Sequence, residues 1–308
     1  MMLKIKLCLF IICLSMCPAV LAQKVWPKLN LQKNKHYINN STVTGKVIQT
    51  INGQPLEIIT TIKSKVLFTV ISITDSLYSM QVQYDSLSLR VELPNADLNF
   101  SAEKPSEKDF ISAILSKIKG QPFRLTLSST GRIISVDSIE SIIKKAADNL
   151  STIPADQRQQ AAAQVTEAFG TAQFKATITA SMQIYPPAPV AKAEVWEIDN
   201  IAEGRIKTAR HILYNINQVT PQAYIIQGSA MINTIETDTG RLNGMPVKYR
   251  LSGLGNARLT VDKVTGWVNS ATIIQNLKGN AEILHNPNLP GGMLIPMTVT
   301  NTISVSNK

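Results

Sequence analysis

Apolar and polar residues alternate along most of this chain, a pattern typical of β-strands that bury one face. After Asn52-Gly53, a dipeptide that favours a tight hairpin turn, the alternation runs through residues 56–63, 66–70 and 78–84. At Asp85-Ser86 the phase slips by one residue. Because such a slip moves every later side chain to the opposite face, we expect a bulge or bend there.

The middle of the chain has a helical period instead. Apolar residues three and four positions apart predict helices at residues 106–120, 137–151 and 154–170. The first begins with Ser106 and Asp109, which resemble a capping box. These three helices separate two strand-rich parts of the chain.

Strand alternation returns after Gly170. Phe174, Ile178 and Met182 fall on the apolar side of one alternating run, which predicts a strand over residues 174–184. Further strands are predicted at residues 195–198, 205–219, 224–235, 247–251, 257–261, 267–275 and 293–305.

Strands with one apolar and one polar face predict an α+β fold that is mostly β. We expect a large curved antiparallel sheet, resembling a half-barrel, with about three mid-chain helices packed on its apolar face. The sheet and helices form one β-rich domain over residues 23–308, with strand-rich halves at residues 36–136 and 171–306.

The first 22 residues have the form of a secretory signal. Lys4 and Lys6 precede a mostly apolar run at residues 7–16, and small residues end at Ala22, after which we expect cleavage. A membrane anchor needs roughly 20 apolar residues, and this run is shorter. The sequence therefore predicts an exported protein of the periplasm or cell surface, with no transmembrane segment in the mature chain.

Cleavage would change the composition. All three cysteines, Cys8, Cys13 and Cys17, lie in the signal, so the mature chain of 286 residues has no thiol for disulfides, catalysis or metal binding. Lipid attachment at Cys17 is disfavoured, because Met16 stands where that motif needs a small residue. Removal of two lysines and no acidic residue lowers the net charge from +10 to +8.

The basic residues are spread along the mature chain, and Lys144-Lys145 is their only adjacent pair. No interleaving of arginine with aromatic residues marks a base-stacking surface, so we expect no nucleic-acid partner.

No motif for phosphate binding, zinc hydrolysis or a serine nucleophile is present, and we predict no catalytic residue, metal site or cofactor. One hydrolytic alternative stays open. Asp199 with Glu203, or Glu194 with Glu197, could act as an acid pair on envelope carbohydrate.

Aromatic and methionine side chains on the apolar faces suggest contacts to an irregular apolar ligand, because methionine packs adaptably. Ordinary core packing is the alternative. The candidate ligand contacts are Phe68, Tyr78, Met80, Ile114, Ile118, Ile142 and Met182.

Three segments resemble an uncharacterised family of exported proteins from Gram-negative bacteria. They are residues 187–190 leading to Trp196, the turn at residues 262–266 followed by Trp267, and the strand at residues 295–299. The resemblance covers roughly residues 36–305 and implies a β-rich exported fold, similar to the half-barrels of lipoprotein carriers. Those carriers hold acyl chains between a curved sheet and a helical lid.

Together these observations predict a non-enzymatic exported protein that binds a hydrophobic or amphipathic, lipid-like ligand in the cell envelope. The alternative is a structural or interaction module that contacts another envelope protein. The carbohydrate hydrolase ranks third.

Overall fold

The computed structural model describes residues 24–105, 109–204, 206–235, 239–242, 245–285, 287 and 289–307. The predicted signal and its cleavage site, Cys17 and Ser106 lie outside the described residues.

The described chain forms one antiparallel sheet of thirteen strands, curved and not closed into a barrel. The strands are β1 (His36–Ile51), β2 (Gln54–Thr74), β3 (Leu77–Leu93), β4 (Ala96–Ser101), β5 (Phe123–Ser128), β6 (Ile133–Val136), β7 (Val195–Ala202), β8 (Thr208–Val219), β9 (Ala223–Thr234), β10 (Thr239–Leu242), β11 (Met245–Asp262), β12 (Val268–Ile283) and β13 (Met293–Ser306). Their order is β6-β5-β3-β2-β1-β13-β12-β11-β9-β8-β7, while β4 pairs with β3 and β10 pairs with β11. The predicted fold class is confirmed, and both strand-rich halves contribute to the same sheet.

Local features of the first hairpins also follow the sequence. Asn52 and Gly53 have φ angles of 51° and 77° and form the turn between β1 and β2. At the predicted phase slip, Lys65 pairs with Ser86 and Val66 pairs with Tyr84, so one residue of β3 is skipped. The predicted bulge is confirmed, and it keeps the apolar residues on both sides of it on the inner face.

The three predicted helices are α1 (Phe110–Ile118), α2 (Ile139–Asp148) and α3 (Ala155–Phe169). Helix α1 begins at Asp109, whose carboxylate accepts a hydrogen bond from the backbone N–H of Ser112 at 3.0 Å. Helices α1, α2 and α3 contact one another, and α1 also contacts β3 and β4. They cover one half of the inner face of the sheet.

The strand predicted at residues 174–184 is wrong. Residues Thr171–Met182 form a fourth helix, α4, which contacts both edge strands of the sheet, β6 and β7. Because α4 lies against the sheet on several sides, Ala172 is its single exposed residue. Its polar side is narrow, consisting of Lys175 and Thr179 at a cleft between β6 and β7, so the helical period is weak and the alternation of apolar with short polar residues imitated a strand.

Strand β11 is continuous, whereas the sequence predicted two strands, at residues 247–251 and 257–261, and the residues between them include Gly253 and Gly255. The glycines lie inside the strand rather than in a loop. On the adjacent strand, Gly279 has a φ of 155°, and a Cβ there would lie 2.0 Å from the carbonyl oxygen of Arg250. Glycine at this position permits the close approach of the β11 backbone to β12.

Two clusters of buried apolar residues lie on the inner face. The larger, which we call the helix-covered core, includes residues of all four helices and of both halves of the sheet. The smaller, the helix-free cluster, comprises Ile232, Val247, Tyr249, Leu251, Leu277, Ala281, Ile283, Ile295, Met297 and Val299. In the described part of the chain, neither this cluster nor the apolar residues packed against it include a helical residue.

Residues 24–31 run as an extended strap across one end of the helix-covered core. Val25 pairs with Val190, and the backbone N–H of Leu29 donates to the carbonyl of Ser129 at 2.8 Å. The Tyr78 hydroxyl donates to the carbonyl of Leu29 at 2.8 Å. The strap thus joins distant turns and buries the Leu29 side chain between them.

Candidate functional site

The structure packs the seven predicted ligand contacts together in the helix-covered core. Phe68, Tyr78, Met80, Ile114, Ile118 and Met182 are buried, and Ile142 is half-buried against them. A space of about 20 Å³ between β1, β2 and helices α3 and α4 has none of the seven in its wall. The geometry gives these residues a packing role, so their role as ligand contacts stays a prediction.

Three larger clefts lie at the surface, and none of the seven residues lines them. One of about 720 Å³ runs between α2 and α3, and one of about 760 Å³ lies on the outer face of β8, β9, β11 and β12. The third, of about 590 Å³, lies between the free edges β6 and β7 and is bordered by α4. Each is open to solvent and mixed in polarity, unlike the apolar site that the sequence predicted.

The helix-free cluster offers the apolar surface that these clefts lack. Its side chains come from β9, β11, β12 and β13 on the inner face, with Val47 and Ile51 of β1 packed against them. Cross-strand pairs such as Leu277 with Val299 bring the apolar residues into register. Its walls are formed by these strands and by the loop residues Ile206 and Leu289 packed against them, so the curvature of the sheet contributes to the space between them.

A band of small and polar residues separates the two clusters on the inner face. The band follows one register row across five strands and consists of Ala230, Gly255, Gln275, Asn301 and Gly45. At the two glycines neighbouring side chains approach the backbone closely, since a Cβ at Gly45 would lie 3.3 Å from the amide oxygen of Asn301. The two amides place hydrogen-bonding groups beside apolar walls. This combination of an apolar surface with a polar border suits an amphipathic ligand.

Arg210 lies at this border, one register row from the band. It pairs across the sheet with Asn200 on one side and with Ile232, a member of the helix-free cluster, on the other. Its Nε donates to Asn200 Oδ1 at 2.8 Å, and its Nη2 is buried without a hydrogen-bond partner. Burial lowers the pKa of the Arg210 guanidinium, and the nearby Tyr214 only partly opposes this.

The sequence carries a signal for Arg210 that the motif search did not use. In β8 the residues of one parity, Arg210, Ile212, Tyr214 and Ile216, all face inward. A charged residue in phase with three large apolar residues of one strand marks a buried cation. Motif spacing could not find it, because no second charged residue accompanies it along the chain.

The proposed acid pairs are bound to other groups. Asp199 Oδ1 lies 2.7 Å from Nδ1 of His211, on the outer face of the sheet. The carboxylate of Glu194 accepts the backbone N–H of Ala191 at 2.8 Å, which holds its pKa below the usual value. A general acid needs a raised pKa instead, so the geometry of Glu194 offers the hydrolase no support. Asp199 and Glu203 both border the cleft between β6 and β7.

In the part of the chain that the structure describes, no three histidine, cysteine or acidic side chains are grouped so that they could hold a metal ion. No helix in the same residues has the length and apolar character needed to cross a membrane.

The segments that carry the family resemblance form turns and anchors. The Asp262 carboxylate accepts the backbone N–H of Thr265 at 2.7 Å, which fixes the turn before Trp267. The indole N–H of Trp267 donates to the carbonyl of Ile38 at 2.8 Å, and that of Trp196 donates to the carbonyl of Ile184 at 3.0 Å. Both tryptophans therefore fix distant parts of the fold.

Comparison with solved structures finds a similar fold in lipovitellin, in a structure concerned with lipid–protein interactions. The similarity covers 91% of this chain and 25% of the lipovitellin chain, at 10% identity and a TM-score of 0.50. The chain thus spans about a quarter of that protein, and the similarity concerns the fold alone. An outer membrane channel from Pseudomonas putida F1 matches with a TM-score of 0.21 at 6% identity, over 90% of this chain and 97% of the channel, and supports no conclusion.

No curated protein matches the chain. The model of a family of unknown function, DUF6263, matches residues 75–268, which include β7 to β9, all four helices and the turn before Trp267. Because this match covers more than half of the chain, the protein belongs to the DUF6263 family.

Proposed function

We propose that the protein is an exported, non-enzymatic binding protein for an apolar or amphipathic, lipid-like ligand of the cell envelope. The observation that carries the proposal is the helix-free cluster, where the apolar inner face continues beyond the part that helices cover. The fold shared with lipovitellin, in a structure concerned with lipid–protein interactions, supports the same class of ligand.

The binding step follows from the construction of this cluster. Helices α1 to α3 pack on one another and fill the space beneath their half of the sheet. The walls of the helix-free cluster are strands together with the loop residues Ile206 and Leu289, and none of them belongs to a helix. An acyl chain would enter by separating these walls and would replace contacts between them with contacts to itself, at little cost in apolar burial.

A tryptophan reporter tests this location. The three natural tryptophans, Trp26, Trp196 and Trp267, lie outside the helix-free cluster, so Tyr249→Trp adds an emitter within it. Bound 9,10-dibromostearate should quench the emission of the variant more strongly than that of the wild type. Native mass spectrometry of the purified mature chain should also detect bound fatty acid, and palmitate should raise the melting temperature.

The natural tryptophans of the helix-covered core are the internal control for this experiment. Equal quenching of variant and wild type would place the ligand outside the helix-free cluster. Absence of bound lipid, of a melting shift and of quenching would refute the proposed function.

A second candidate, an interaction module of the envelope, is favoured by the outer face of the sheet. Met231 and Leu254 are direct cross-strand neighbours there and are 56% and 64% exposed. Exposed apolar neighbours of this size mark interaction surfaces in many soluble proteins. If this face binds a second copy, light scattering should show a dimer that the Met231→Ser, Leu254→Ser double variant loses, and a monomeric wild type would argue against it.

A further inference from the structure

Arg210 is a buried cation whose Nη2 has no hydrogen-bond partner in the described part of the chain. Arg210 is 5% exposed. Among the described residues, no carboxylate forms an ion pair with it. The Asn200 amide oxygen satisfies Nε, while Nη2 has no partner. An unpaired buried charge destabilises a fold, so a group that pairs with Nη2 would stabilise the folded chain.

The surroundings of Arg210 limit what that partner can be. A space of about 20 Å³ borders Arg210, and its wall includes Ile212, Tyr214 and Ile273 as well as Gly228 and Gln275. This volume holds about one water molecule, so it would admit one oxygen atom of a larger anionic group beside Arg210. In the same register row, Ile232 and Leu277 begin the helix-free cluster. A ligand with one anionic oxygen group and an apolar chain would match both neighbours at once.

We propose that Arg210 binds the anionic head group of an amphipathic ligand, a carboxylate of the fatty-acid class, whose chain occupies the helix-free cluster. This inference rests on the proposed function and names the ligand class for the same site. The free Nη2 donates to a carboxylate oxygen, and this charge-assisted hydrogen bond supplies the partner that the protein lacks. A neutral amphiphile of equal chain length would leave Nη2 without a counter-charge.

Calorimetric titration of the mature chain with palmitate, 1-hexadecanol and hexadecyl phosphate tests the preference. We expect the wild type to bind palmitate at least about ten-fold more tightly than the alcohol, and Arg210→Gln to bind the two about equally. Arg210→Lys keeps the charge and should keep part of the preference, which protects the test if glutamine impairs folding. Arg250→Gln, on the outer face beside Glu282, is the matched control and should behave as the wild type does. Tighter binding of the phosphate than of palmitate would overturn the carboxylate assignment.

Acetate tests the carboxylate contact separately, because it has no long acyl chain. At equal ionic strength, sodium acetate should raise the melting temperature of the wild type relative to sodium chloride and should leave Arg210→Gln unchanged. If the wild type binds palmitate and hexadecanol equally and acetate has no effect, the inference fails while the proposed function stands. If no amphiphile binds but acetate acts through Arg210, the proposed function fails and an anion site remains. A buried water alone at Nη2 predicts neither effect and would overturn the inference.

Discussion

Helix α4 gives the sharpest test of the fold, because a strand and a helix predict different burial for two of its residues. In an alternating strand, Ala176 and Ile178 would share one buried face. In the structure, Ile178 is 1% exposed in the helix-covered core, whereas Ala176 borders the cleft between β6 and β7. The same substitution, to glutamine, should therefore have very different effects at the two positions.

The magnitude follows from the two environments. Ile178→Gln removes a buried apolar side chain, which costs about 1.5–3 kcal/mol, and buries an amide without partners, which costs about 1–3 kcal/mol more. The sum lowers the free energy of unfolding by about 2.5–6 kcal/mol. Ala176→Gln extends an amide into a cleft of about 590 Å³ and should cost roughly 0.5 kcal/mol or less.

Urea denaturation followed by circular dichroism measures both changes. In thermal denaturation, a loss of about 2.5–6 kcal/mol corresponds to a fall in melting temperature of roughly 5–24 °C. Equal destabilisation by the two variants would contradict a helix at these residues and would support the strand that the sequence predicted. A small effect at both positions would contradict the burial of α4.

Three further substitutions probe the strap, Gly279 of β12 and the half-buried carboxylate of Glu140. Tyr78→Phe removes the hydroxyl that binds the Leu29 carbonyl and should lower the free energy of unfolding by about 1–3 kcal/mol in thermal denaturation. Gly279→Ala should cost about 1–3 kcal/mol in urea denaturation, because its φ of 155° and the nearby carbonyl oxygen exclude a Cβ. Partial burial raises the pKa of Glu140, but hydrogen bonds from Thr171 outweigh it and hold the pKa below the ordinary 4.5. Its stabilisation is therefore present above about pH 4.5 and lost as the pH falls through the lower folded pKa, and Glu140→Gln should flatten this part of the stability curve.

Each of these variants has a matched control in the chain. Tyr224→Phe alters a half-buried tyrosine whose hydroxyl forms no hydrogen bond among the described residues, and it should cost less than Tyr78→Phe. Gly291→Ala places a Cβ where no atom lies within 4 Å and should be nearly neutral. Glu57→Gln changes an exposed carboxylate that binds Lys46 and should leave the acid limb of the curve close to that of the wild type. Equal effects of a variant and its control would refute the corresponding argument.

Much of the fold could be predicted because its causes are local. The alternation in β2 and β3 gave their faces, the slip at Asp85 gave the bulge, and the apolar spacing gave α1, α2 and α3. In each case the side chains that meet the core lie within a few residues of one another. The candidate site was harder, since its seven predicted residues share only an apolar character, and that character suits a packed core equally well.

The sequence by itself determined the one-faced strands, the turns and the first three helices, because these depend on the period of apolar residues and on the backbone freedom of residues such as Gly53. Only the tertiary structure decided that residues Thr171–Met182 are a helix. The segment packs against several strands, including β6 and β7, so its apolar residues do not follow a clear helical period. Tertiary structure also decided the position of Arg210, because cross-strand register brings it beside Ile232. Within the described residues, Arg210 lacks a charged partner because of the residues that other strands place around it, and these strands are distant in sequence.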